Sequence, residues 1–172
     1  MLNANFGMDV DQQGRISGNL VIVTEIVQIL IFGAVGVLAD RIGRKDVAAA
    51  GMVVMGVSYL LYPFAETVNE LYVYRGLYAL GLGASTGMLQ TMLADYPGDS
   101  SRGKMVAVGG ICNGIGVILV TVIFAAQVPP LLLEAGFESI EVSRITHAIV
   151  GTACILSGVI YWLGLKKGVP QE

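Results

Sequence analysis

The chain has 172 residues, of which 55% are hydrophobic and only 13% charged, with a mean hydropathy of +0.73. A soluble domain carries roughly 25% charged residues, and a single core of this size cannot hide so much apolar surface from water, so lipid is the expected solvent. The formal net charge of −3 says little in a membrane protein, but the lack of a basic patch argues against nucleic-acid binding, and one histidine with two cysteines in separate apolar stretches, Cys112 and Cys154, forms no metal-site or cofactor pattern.

A bilayer core of about 30 Å needs about 20 apolar residues in a helix. Five stretches have that length: 16–39, 47–65, 71–94, 105–128 and 145–165. None alternates every second residue, as a strand of a membrane barrel would. The expected fold is an all-α integral membrane protein of about five transmembrane helices, forming a single membrane domain over 1–172. Glu25 interrupts the first stretch, the second is uncharged, and Arg75 stands near the start of the third. The fourth stays uncharged to Leu133, and Pro129-Pro130 is expected to end its helix. Residues 130–144 then read as a short amphipathic piece on the outer face. Tyr62 and Phe64, Tyr72 and Tyr74, and Tyr161 and Trp162 stand at stretch ends, where amphipathic rings favour the membrane interface. His147 has a similar place near the outer end of the fifth stretch. Most of the 23 glycines lie inside apolar runs, and Gly83-x-x-x-Gly87 and Gly110-x-x-x-Gly114 have the spacing of a helix-packing surface.

Basic residues orient the stretches. Arg41, Arg44, Lys45, Arg102, Lys104, Lys166 and Lys167 fall on one side, against Arg15 and Arg144 on the other. The first group marks the cytoplasm, so the N-terminus is expected outside and the C-terminus inside, in a multi-pass protein of the plasma membrane. Residues 1–15 lack the apolar core of a secretory signal. An outside N-terminus then leaves the set short of one helix ahead of Met1, and the chain reads as a fragment or truncated piece.

The strongest local pattern is Gly36-Val-Leu-Ala-Asp40-Arg41-Ile-Gly43-Arg44-Lys45, between the first two stretches. Gly36 permits close helix contact and Gly43 a sharp turn. A carboxylate such as Asp40 at a helix end can pair with nearby cations or with another helix N-terminus. The three cations alone would also serve simply to set topology. This run resembles the signature loop between helices two and three of major facilitator superfamily transporters, G-x-L-a-D-r-x-G-r-k. The resemblance extends over nearly the whole chain, as helices two to six of the N-terminal half, a partial six-helix bundle. It implies gating: the loop locks two halves of a transporter, Asp40 meets a helix of the second half, and Arg44 pairs with an acid at the end of the third stretch, where Asp95 stands.

Leu71-Tyr-Val-Tyr-Arg75 resembles the family's L-x-x-x-R on helix four, although Tyr78 and Ala79 stand where that pattern has a polar residue and glycine. Arg75 either faces a cavity or a partner or snorkels to the outer interface, about 6–8 Å away at 1.5 Å per residue. Glu25, near mid-depth, is a candidate proton or cation site, or it stabilises an interdomain face with Ile29, Phe32, Gly36 and Asp40, and Gln28 one turn on is placed to bond it. Asn113 lies in Gly109-Gly110-Ile-Cys-Asn-Gly114, similar to the family's antiporter motif but without its proline. With Ser85, Thr86, Gln90 and Thr91 it either lines a polar path or makes ordinary bonds between helices. The expected function is transport of a small solute, with proton coupling resting on Glu25 and Arg75, and with the missing second half or another membrane chain as partner. A membrane scaffold or sensor keeping part of the fold is the alternative. An intramembrane enzyme has no nucleophile–base pair or metal cluster behind it.

Overall fold

The computed structural model describes residues 6–95, 97, 98 and 100–165, and their regular structure is entirely helical. Lys166 and Lys167, counted above for orientation, lie outside the described residues.

Helix α1 spans Val10–Ile42. It starts where Asp9 accepts from the Gln12 N–H at 2.8 Å and the Gln12 side chain accepts from the Asp9 N–H at 3.3 Å, a reciprocal cap. Hydropathy marks only the apolar part of a helix, and this cap explains why the coil begins well before Ile16. Gly43 ends α1 with φ at +104°, a value other residues rarely adopt, and α2 (Arg44–Leu61) begins immediately. A short 3₁₀ turn, Tyr62–Phe64, leads to α3 (Val68–Asp95). Helix α4 (Arg102–Ile118) runs through a π-helical segment, Leu119–Ala125, into α5 (Ala126–Glu134). Helix α6 spans Ser139–Gly164.

Two expectations fail in this last region. Pro129 and Pro130 lie inside α5 and do not end a helix. A proline ring clashes with the carbonyl four residues back and lacks an N–H. Here those carbonyls belong to residues 125 and 126, where the wider π coil gives way to the α coil and the ladder already changes register. Nor is 130–144 a separate amphipathic piece. Its first part completes α5, Gly136 turns the chain at φ +94°, and Glu138 opens α6 by a reciprocal cap with Glu141.

The helices pack in the row α1–α3–α2–α6, with α4 leaning on α3. Backbones touch most closely on the two sides of α2. A Cβ on Gly51 would lie 2.7 Å from the Gly81 carbonyl, and one on Gly81 2.6 Å from the Gly51 carbonyl. On the other side a Cβ on Gly56 would lie 2.5 Å from the Gly151 carbonyl. Lipid offers no hydrophobic drive for helices to associate, so such close approach and the dispersion it permits hold the bundle together. Ser58 adds a buried hydrogen bond from α2 to the Tyr74 carbonyl of α3, at 2.6 Å.

The glycine patterns singled out by spacing divide. Gly83 lies under Ile31 and Gly87 under Phe32, so that pair does face α1. Gly110 and Gly114 have nothing within 4 Å of where a Cβ would stand, and α4 meets α3 instead through Gly109 against Leu93. The pair one turn apart shares a ridge that is rotated away from α3. Hydroxyls behave differently from expectation too. Ser85 and Thr86 donate to the Leu82 carbonyl and Thr91 to that of Gly87, all within α3, and these hydroxyls bond no other helix among the described residues.

Among the described residues, four helical stretches are long and apolar enough to cross a membrane: Val10–Ile42, Arg44–Phe64, Arg102–Glu134 and Ser139–Gly164. The remaining long helix, α3, has 28 residues but a less apolar composition. It packs on α1, α2 and α4 and places glycine, alanine and serine among its buried positions.

These contacts predict a sharp contrast between glycines. Gly81→Ala should lower stability by about 1–3 kcal/mol, because backbone must move to admit the methyl. Gly114→Ala should be neutral or stabilising, since alanine favours helix. Unfolding in mixed micelles followed by circular dichroism reads both, and equal effects would refute this packing.

Candidate functional site

At the Gly43 end of the bundle, the first three residues of α2 point to two neighbours. The Arg44 guanidinium donates to the Asp95 carboxylate at the last residue of α3. Lys45 donates its ammonium to the Leu165 carbonyl just beyond α6 and lies 5.7 Å from the centre of the Trp162 ring. The Trp162 indole N–H donates to Asp46 at 2.8 Å. Asp40 and Arg41, in the last turn of α1, are exposed and make no side-chain bond to a described residue. Gly36 has open space where a Cβ would stand, so it touches no helix among the described residues.

Arg44 and Asp95 are 38% and 48% exposed, which makes their pair a weak one, worth about 0–1 kcal/mol. It exists because the turn at Tyr62–Phe64 folds α3 back antiparallel to α2, which sets the start of α2 beside the end of α3. Gly43 lets α2 begin directly after α1, so that Arg44 stands in its first turn.

At the opposite, Pro63 end, Arg75 is held by α1. Its Nε–H is shared between the Thr24 hydroxyl at 2.6 Å and the Leu20 carbonyl at 3.1 Å. Thr24 donates its own proton to the Leu20 carbonyl at 2.9 Å, which turns a lone pair toward the guanidinium. The guanidinium carbon lies 4.8 Å from the centre of the Tyr78 ring, a cation–π contact. Arg75 makes no ion pair with a described residue. Half-buried, it is tied to a partner on a neighbouring helix and does not snorkel free of the bundle.

Around it rings gather that sequence position assigned to the interface. Tyr62 is buried, stacked on His147 at 6.0 Å and tilted against Tyr74 at 6.4 Å. Tyr59 meets Tyr78 edge-on at 5.4 Å and His147 at 6.2 Å. His147 is held to the Ser143 carbonyl at 2.8 Å. The hydroxyls of Tyr62 and Ser143 are buried without a hydrogen-bond partner among the described residues.

The structure thus joins Arg44 to Asp95 and Arg75 to α1. It does not join the other candidates. Glu25 is exposed on α1, Gln28 packs toward Gly83 of α3, and no hydrogen bond links the two. Three positions along a helix leave a 60° offset, and here it separates their directions. Asn113 is exposed on α4 with no side-chain bond to a described residue. Sequence reasoning gave no role to Thr24, Tyr59 and Asp46, and placed Trp162 only at the interface. The first two look like ordinary apolar-run residues, and Asp46 and Trp162 meet across 116 positions.

Long apolar helices, small residues at their contacts and a charged glycine reversal define a multi-pass helical membrane protein. The chain belongs to the Major Facilitator Superfamily, whose family model matches residues 1–172. It is similar to the magnetosome protein MamH of Paramagnetospirillum magneticum, 27% identical over 137 residues that cover 75% of this chain and 31% of MamH. The 4-hydroxybenzoate transporter PcaK of Pseudomonas putida is 38% identical over 79 residues, 45% of this chain and 18% of PcaK. The human chromaffin granule amine transporter is 34% identical over 93 residues, 52% of this chain and 18% of that protein. The chain therefore spans less than a third of the length of each of these relatives. No solved structure matches it.

The Arg75 contact predicts that Thr24→Val, which keeps shape and loses the hydroxyl, weakens the α1–α3 association by about 1 kcal/mol. Thr24→Ser should retain most of it. Unfolding of the purified chain in mixed micelles measures both, and a Val variant as stable as the Ser variant would exclude the bond.

Proposed function

We propose that this chain forms membrane segments of a secondary transporter that moves a small solute by alternating access, with residues 36–45 as its gate. The observation that carries the reading is the division of charge at the Gly43 reversal. Arg44 is paired within the bundle with Asp95, whereas Asp40 and Arg41 stand exposed beside it. In alternating access two units rock about a site near the midplane. A gate between them must close and open in every cycle, so each contact has to be weak. Exposed Asp40 and Arg41 can supply such a contact, since an ion pair at an exposed site is worth about 0–1 kcal/mol. Asp40 then engages a helix of the second half, whether that half lies on the same polypeptide or on another membrane chain. Gly36 leaves room for that approach, and Arg44 with Asp95 holds the reversal in place.

In this reading the Gly43 end faces the cytoplasm of the plasma membrane, with the N-terminus outside and the C-terminus inside. The protein is a carrier and no enzyme. Glu25, Gln28, Arg75 and Asn113 are its intramembrane candidates for solute contact or proton coupling. Arg75, carrying charge inside an apolar helix, is the best supported of them. Relatives do not supply a common solute: 4-hydroxybenzoate is an acid and the amines of the chromaffin granule transporter are bases, so the names alone point in opposite directions.

Asp40→Asn in the assembled transporter is expected to slow uptake several-fold while membrane insertion is unchanged, and undiminished uptake would sink the gating assignment. For the orientation, a cysteine replacing Arg41, with Cys112 and Cys154 changed to serine, should react with an impermeant maleimide only in inside-out vesicles. Labelling of intact cells would reverse the assigned topology.

A further inference from the structure

The first turn of α2 has a problem that its own sequence solves only in part, through the acid Asp46. Arg44 and Lys45 place two cations on the positive end of a helix, where the dipole disfavours them. Its N-cap is Gly43, which offers no side chain to accept from the first free N–H groups. What offsets this is the antiparallel packing. The starts of α2 and the ends of α3 and α6 lie together, so each cation reaches the negative end of a neighbour: Arg44 the last residue of α3, and Lys45 the carbonyl of Leu165 that caps α6.

One side chain engages both of the other two residues of this turn. Trp162 donates its indole N–H to Asp46 and presents its ring to Lys45. We propose that Trp162 is a positioning residue for the Gly43 reversal: through Asp46 and Lys45 it holds the first turn of α2 at the rotation that brings Arg44 to Asp95. No hydrogen bond or cation–π contact joins Trp162 to Arg44 or Asp95 among the described residues. Trp162 acts by fixing the backbone between them, since residues 44, 45 and 46 share a single turn. For its consequence in gating, this inference rests on the function proposed above. The charges of the loop then have separate tasks. Lys45 and Asp46 anchor the turn to α6, Arg44 joins it to α3, and Asp40 with Arg41 remains for the partner.

Trp162 is the chain's one tryptophan, so its fluorescence reports the contact directly. The whole chain in lipid nanodiscs is titrated with acrylamide, a neutral quencher. Asp46→Ala is expected to raise quenching about twofold, because the charge-assisted bond is lost, and Asp46→Asn, which keeps the acceptor oxygen, should restore the wild-type value. Lys45→Met should also raise it, which serves if the alanine variant does not fold. The decisive variant is Asp95→Ala, remote from the indole. If the turn is one unit, loss of the Arg44 pair loosens it and Trp162 quenching rises. A rise with Asp46→Ala but none with Asp95→Ala would show a local contact and overturn the positioning role. No change with Asp46→Ala or Lys45→Met would overturn the clasp itself. Uptake is not read in this test: failure of the gating assignment would leave the quenching results standing, and their failure would leave the uptake prediction intact.

Discussion

Close approach of helix backbones around α2 is the constraint on which the other contacts depend. Gly51 against Gly81 and Gly56 against Gly151 leave no space for a side chain between carbonyls of neighbouring helices. In water such surfaces would be driven together by burial of apolar groups. In lipid the chains outside are as apolar as those inside, so shape and dispersion must do that work. Once α3 and α6 are held on the two sides of α2, their ends fall into register. Tyr62 then stacks on His147 at one end, and Arg44, Lys45 and Asp46 reach α3 and α6 at the other.

Two small cores confirm where this register is set. Leu20, Tyr62, Ala65 and Leu71 cluster at the Pro63 end, and Ala39, Val47, Ala48 and Met88 at the Gly43 end. Between them the glycine contacts carry the packing. Arg75, bonded to Leu20 and Thr24, sits beside the first core, and Arg44 lies within one turn of Val47 in the second.

Helices α4 and α5 follow other rules. None of the most apolar window of Arg102–Glu134 is buried, and Ile111, Ile115 and Ile118 are each more than half exposed. The π segment Leu119–Ala125 interrupts the regular ladder just ahead of two prolines. With one close glycine contact to α3, through Gly109, this part of the chain has far fewer constraints on its position than α2 has. Helix α1 shares the feature in milder form: its ridge of Leu20, Thr24 and Ala39 is buried, while Ile29 and Leu30 are 71% and 74% exposed.

Much of the architecture was legible in the residues. Apolar length demands helices because lipid satisfies no backbone group, and Gly36 to Lys45 marks a charged reversal through its glycine and its cations. Asp95 was identified only through the resemblance to a family pattern. Other features depend on rotation about a helix axis and on distance across the bundle, which no local spacing encodes. Gly110 and Gly114 have the right interval but the wrong direction, whereas Gly51 and Gly81, with no repeating interval, meet backbone to backbone. Arg75 found its partner in Thr24, and Asp46 in Trp162, because packing of whole helices brought them within reach. Sequence by itself determined the solvent, the helices and the turn, since these follow from local chemistry. Which faces meet, and so which charges hold the turn, was decided only by the tertiary structure, where close contact selects one rotation of each helix.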